Sequence, residues 1–132
     1  PRFKRFVRVV LAVLFLSAGV AHFVAPAPFL AIMPPYVPYP LVMVYLSGAF
    51  ELLGGLGLLF PATRRWAGIG LAVLLLAVFP ANVHMWLADI PFMGRPVPGW
   101  VHALRLPLQF VLIGLVVWST WSSRPSRQGG VV

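Results

Sequence analysis

Along this chain apolar residues do not alternate with polar ones at the period of a water-soluble helix or strand. They run on for about twenty positions at a time, four times over. The runs lie near residues 6–23, 41–60, 66–86 and 100–121. A hydrocarbon core of roughly 30 Å takes about 20 helical residues to cross, so each run is predicted to be a membrane-spanning helix. The expected fold is all-α: a four-helix transmembrane bundle forming one domain over 1–121. A short polar tail, 122–132, with Arg124, Arg127 and paired glycines, is expected to follow as a disordered end. The connections at 24–40, 61–65 and 88–99 are each too short to hold a domain.

Composition agrees with this reading. The chain is 61% hydrophobic and 9% charged, far from the roughly 25% charge of soluble domains. Its formal charge of +8 arises from ten basic residues against Glu51 and Asp89. The basic residues flank apolar runs and form no stripe, so nucleic acid is not an expected partner. Arg2, Lys4, Arg5 and Arg8 precede the first run, Arg64 and Arg65 separate the second and third, and Arg124 and Arg127 lie in the tail. The two remaining loops hold only Arg95. Positive residues favour cytoplasmic loops, so both termini are expected on the cytoplasmic side of a multi-pass protein of the cell membrane. A cleaved leader is the rival reading of the first run. The proline in Ala25-Pro26-Ala27 disfavours cleavage, and a retained helix is expected. With no cysteine, disulfides, thiol redox chemistry and thiolate metal sites are excluded.

The first outer loop contains Pro26, Pro28, Pro34, Pro35, Pro38 and Pro40, no charge, and the apolar residues Phe29, Ile32 and Met33. It is expected to lie against the membrane as a strap, with a helical turn near 28–33. Polar residues inside the runs carry the candidate chemistry, because burying ionisable groups in a bilayer is costly. Glu51 lies at the middle of the second run, beside Ser47, Gly48, Gly54 and Gly55 at helical spacing. His102, Arg105 and Gln109 follow one another on one stripe of the fourth. The third holds Pro80, Asn82 and His84, the proline freeing the Leu76 carbonyl, and His22 ends the first. His22, Glu51, Asn82, His84, Arg105 and Gln109 are therefore the candidate binding residues of the outer half. Glu51 and Arg105 are expected to form its one ion pair. The alternative reading is a polar network that only glues helices together. The three histidines sit near the interface, where hydration is expected rather than metal or haem ligation, so no metal site is expected.

The succession Gly19-x-x-His22-Phe23, Pro34-Pro35, Ser47-Gly48-x-x-Glu51, Pro61-x-x-Arg64-Arg65-x-Ala67-Gly68, Phe79-Pro80-Ala81-Asn82 and Arg105-x-Pro107-x-Gln109 resembles the DoxX family of small four-helix bacterial membrane proteins. The resemblance covers nearly the whole chain. It implies a bacterial inner-membrane location and an association with quinol-oxidising complexes, and it brings no catalytic residue. The expected function is a non-catalytic subunit or accessory of a larger membrane complex, for which the resemblance implies a quinone link, with the bilayer, such a complex or a second copy as partners. The alternative is a binding protein for a small lipophilic molecule such as a quinone, the one cofactor considered, held by the outer polar cluster. No nucleophile–base pair or nucleotide loop is visible, so an enzyme acting alone is not expected.

Overall fold

Residues 2–121 are described by a computed structural model, and among them the regular structure is helical. The helices are α1 (Arg2–Val24), α2 (Ala27–Ala31), α3 (Pro40–Leu59), α4 (Arg64–Leu87) and α5 (Gly99–Thr120). All except α2 are long and apolar enough to cross a membrane. The polar tail expected over 122–132 lies outside the described residues.

Each apolar run folds as a helix because nothing interrupts it except proline, and the two internal prolines are absorbed. Pro80 sits inside α4 and Pro107 inside α5, and both helices continue through them. The ends are set by local chemistry. Pro40 opens α3 at the position where a missing N–H costs nothing. The α4 terminus is a Schellman turn, in which Ile90 N donates to Met85 O (3.0 Å) and Asp89 N to Trp86 O (3.1 Å). Asp89 takes the left-handed conformation that this turn demands, φ 50°.

The long helices pack antiparallel in sequence order, α1 on α3, α3 on α4 and α4 on α5, with α5 returning to α1. Glycine sets the closest approach. A Cβ on Gly48 of α3 would lie 2.7 Å from His22 Cβ and 2.9 Å from Phe23 Cε2, and one on Gly19 would lie 3.0 Å from Gly48 O. No larger residue fits there. Between α4 and α5 the same role falls to Gly68, whose added Cβ would lie 2.9 Å from Thr120 Cβ.

The buried apolar cluster lies in one half, with the buried hydroxyls of Ser119 and Thr120 at its edge. Leu11, Ala12 and Phe15 of α1, Leu58 of α3, Leu71 and Leu75 of α4 and Val116 of α5 form the apolar core, which lies towards the α3–α4 turn. At that end cations close the ring: Arg8 donates to Ser119 O (2.7 Å) and Lys4 to Trp121 O (3.1 Å), while the Arg65 guanidinium stacks over the Trp121 ring at 4.4 Å. Basic groups meeting the last carbonyls of a helix are favourably placed in its dipole. Towards the other end the buried side chains include Val44 and Met85 beside the polar His22, His102 and Gln109.

The strap is half-buried, as its apolar residues predict. Its helix is Ala27–Ala31, a residue or two earlier than the sequence suggests, and Phe29, Ile32 and Met33 are partly covered, whereas Tyr36 and Tyr39 remain exposed.

Candidate functional site

Two separate polar groups occupy the half of the molecule that carries the strap. The first joins α1 to α3. His22 Nδ1 lies 2.7 Å from Ala18 O and 3.1 Å from Glu51 Oε2. A carbonyl oxygen only accepts, so Nδ1 carries the proton and donates to Ala18. The carboxylate oxygen is within ion-pair distance, yet no hydrogen bond is directed at it. Phe29 of α2 covers this imidazole, its ring stacked at 3.8 Å and 18°. The strap is thereby tied to the first group.

The second group joins α4 to α5. Arg105 Nη2 donates to Asn82 Oδ1 (2.8 Å) and Nη1 contacts the Met85 sulfur, while Asn82 Nδ2 donates to Gln109 Oε1 (2.6 Å). Gln109 Nε2 donates in turn to the Leu75 carbonyl. That oxygen lies one residue before Leu76, whose carbonyl Pro80 leaves without its helical donor. The chain of bonds fixes both amides, since each spends an oxygen and a nitrogen within it. Asn82, Arg105 and Gln109, with Leu75, Leu108 and Leu112, line a laterally open cleft of about 180 Å³.

Of the residues expected to converge, the structure thus brings together His22 with Glu51, and Asn82 with Arg105 and Gln109. It does not join the two sets through the expected Glu51–Arg105 ion pair: among the described residues Glu51 pairs with His22, and Arg105 meets neutral partners. Depth along a span orders residues by height but says nothing of which neighbour they face. His84, half-buried, makes no side-chain hydrogen bond among the described residues and stands outside both groups. His102, expected to be hydrated, is 2% exposed, stacked against Trp86 (6.4 Å), with Nε2 buried and unpartnered. The stripe it shares with Arg105 and Gln109 was the available signal, because those two turn inward. Among the described residues no three His, Cys, Asp or Glu side chains are grouped to hold a metal.

Comparison with known proteins gives one family. The family described as "Domain of unknown function (DUF8561)" matches residues 11–122, and the chain belongs to it. No match exists among curated proteins or among solved structures. The resemblance to DoxX is therefore corrected, since the matching family is a different one. Its motifs are glycines at close approaches, a proline and arginine pair at a turn, and prolines inside spans. Those are demands that any tightly packed set of four apolar helices makes, so their order misled. The quinone link implied by that resemblance has no support with it removed.

Proposed function

We propose that this DUF8561 protein is a multi-pass membrane protein, a four-helix bundle with both termini on the cytoplasmic side. Its function is to hold a small lipophilic molecule by the polar head in the α4–α5 cleft. Four long apolar helices support the membrane reading, and eight basic residues on one side against Arg95 on the other support the orientation. One observation carries the binding reading: Arg105, inside an apolar span, meets only Asn82 and Met85 among the described residues and lines an open cleft. A charge costs about 2.5–3.5 kcal/mol at the centre of a span on insertion scales and less towards its ends, where Arg105 lies, and glue between helices needs no charge, since the Asn82–Gln109 pair already supplies it. A guanidinium kept at that cost beside a lateral opening is suited to recognition. The cleft opens sideways, past Leu108, which is 55% exposed, so a ligand would enter from the lipid.

The experiment is gentle extraction followed by native mass spectrometry. A small hydrophobic molecule retained by the wild-type protein and lost on Arg105→Met or on Leu108→Trp supports the reading. Leu108→Trp fills the cleft from its exposed edge and leaves the polar chain intact. Retention unchanged in both variants contradicts it.

A second reading, an accessory subunit or homo-oligomer, draws on the other face. An open groove of about 280 Å³ between α3 and α4 is lined by the exposed Leu53 and Trp66 and by Gly70, where an added Cβ would touch nothing within 4 Å, while Gly54 and Gly57 face Leu71 and Ala67 of α4. Small residues on a lipid-facing surface allow another helix to approach closely. A protein that co-purifies in fixed ratio, with no small molecule retained, would favour this reading over the first.

A further inference from the structure

We infer that the head group taken by the α4–α5 cleft is a carboxylate on a single hydrocarbon tail, the chemistry of a long-chain fatty acid. The inference rests on the binding reading above and names its ligand class.

Charge is the first argument. The chain holds two acidic residues in all, Glu51 and Asp89. Glu51 is engaged by His22, and Asp89 lies past the end of α4 in the Schellman turn. No carboxylate reaches salt-bridge distance of Arg105 among the described residues, so its charge is met by an amide oxygen and a thioether only. In a medium of low dielectric an unmatched cation favours an anion over any neutral head group.

Hydrogen-bonding capacity is the second. A guanidinium has five N–H donors in a planar fork, and here two are spent, on Asn82 and Met85. The Asn82 and Gln109 amides are committed to one another and to Leu75 O. What the cleft offers a ligand is therefore donors, the unspent N–H groups of one positive fork beside the second N–H of each amide, which a planar two-oxygen anion meets with paired bonds.

Size and charge number then select among anions. No second Lys or Arg lines the cleft. A phosphate monoester carries about −1.5 to −2 near neutral pH, more than one guanidinium matches. A phosphodiester brings substituents on both sides of its phosphorus. The cleft, at about 180 Å³, is smaller than the roughly 300–1,000 Å³ typical of sites that enclose a drug-sized ligand. It accommodates a compact head and the first methylenes, leaving the tail to run out over Leu108 and Leu112 into lipid. A fatty carboxylate has that shape.

The test is a head-group series on one tail, with purified protein in a neutral maltoside micelle at pH 8. The probes are dodecanoate, 1-dodecanol, dodecyl phosphate and dodecyltrimethylammonium, each used to displace a fluorescent twelve-carbon fatty acid. Dodecanoate is expected to compete about tenfold or more better than dodecanol, which corresponds to about 1.4 kcal/mol. Arg105→Gln is expected to abolish that preference and Arg105→Lys to keep part of it. Leu108→Trp, which leaves the charge in place, is expected to weaken every probe alike, and dodecanol competition retained by Arg105→Gln shows that the arginine variant is folded. Equal competition by dodecanol, or stronger competition by dodecyl phosphate, overturns the carboxylate assignment while leaving a ligand cleft standing. Absence of any saturable binding overturns both the assignment and the binding reading on which it rests.

Discussion

Glu51 shows most clearly what a single residue's position does and does not reveal. Its depth in the second span marks it as a group that needs a partner, and it has one, but the partner is His22, one helix back, rather than Arg105. The reason is azimuthal. Gly19 and Gly48 bring α1 and α3 so close that His22 Cβ stands over Gly48, three residues before Glu51, and the imidazole then meets the carboxylate before any other polar group can. A double-mutant cycle separates the two pairings. His22→Ala and Glu51→Ala are expected to couple by about 0.5–3 kcal/mol in thermal or denaturant unfolding in detergent, whereas Glu51→Ala and Arg105→Met are expected to add within about 0.5 kcal/mol. Coupling in the second pair and none in the first would reverse the assignment. His102 makes the complementary point. Its place near a span end suggested water, yet it is buried because it shares the inward stripe of Gln109.

At the scale of elements most of the structure was legible. Four uninterrupted apolar runs fix four long helices, and their ends fall within a few residues of the expected limits, except that α1 starts at Arg2 rather than near Phe6. Lys4 of that extra turn, and Arg8 one turn further on, donate to the Trp121 and Ser119 carbonyls at the end of α5, a contact between distant parts of the chain that a one-dimensional pattern does not contain. The tightest helix contact gives a prediction: Gly48→Leu is expected to lower the unfolding temperature markedly, because its side chain would have to displace His22 and Phe23. Gly70→Leu, on a face where a Cβ touches nothing, is expected to be close to neutral in the monomer. Helix termini give another. Asp89 occupies the left-handed position of the α4 Schellman turn, and glycine adopts that conformation without a Cβ clash, so Asp89→Gly is expected to stabilise by up to about 1 kcal/mol. A drop in unfolding temperature would mean that the carboxylate itself contributes at that turn.

For the whole molecule, the placing of both polar groups, His22 with Glu51 and Asn82 with Arg105 and Gln109, in the half that carries the strap is the feature that a functional account must explain. The other half holds the apolar core from Leu11 to Val116 and its cationic clasp. The strap-side half adds Glu51 and Arg105, each met by a side chain of a neighbouring helix. In the proposed orientation it lies towards the outer leaflet, and the absence of cysteine makes this simple to check: an impermeant thiol reagent on intact cells is expected to modify a cysteine placed at Tyr36 and to spare one placed at Thr63. The opposite result would invert the topology and move the cleft to the inner leaflet. The ligand cleft itself is tested most directly by where a bound tail touches the protein. The protein is reconstituted in bilayers with a fatty acid that carries a photoreactive diazirine on its tail, irradiated, digested and mapped by mass spectrometry. Labelling concentrated on Leu108 and Leu112, saturable by unlabelled fatty acid and lost in Arg105→Gln, is the predicted result. Labelling spread evenly over lipid-facing residues such as Val13, Leu53 and Val73, and unchanged by Arg105→Gln, would contradict it.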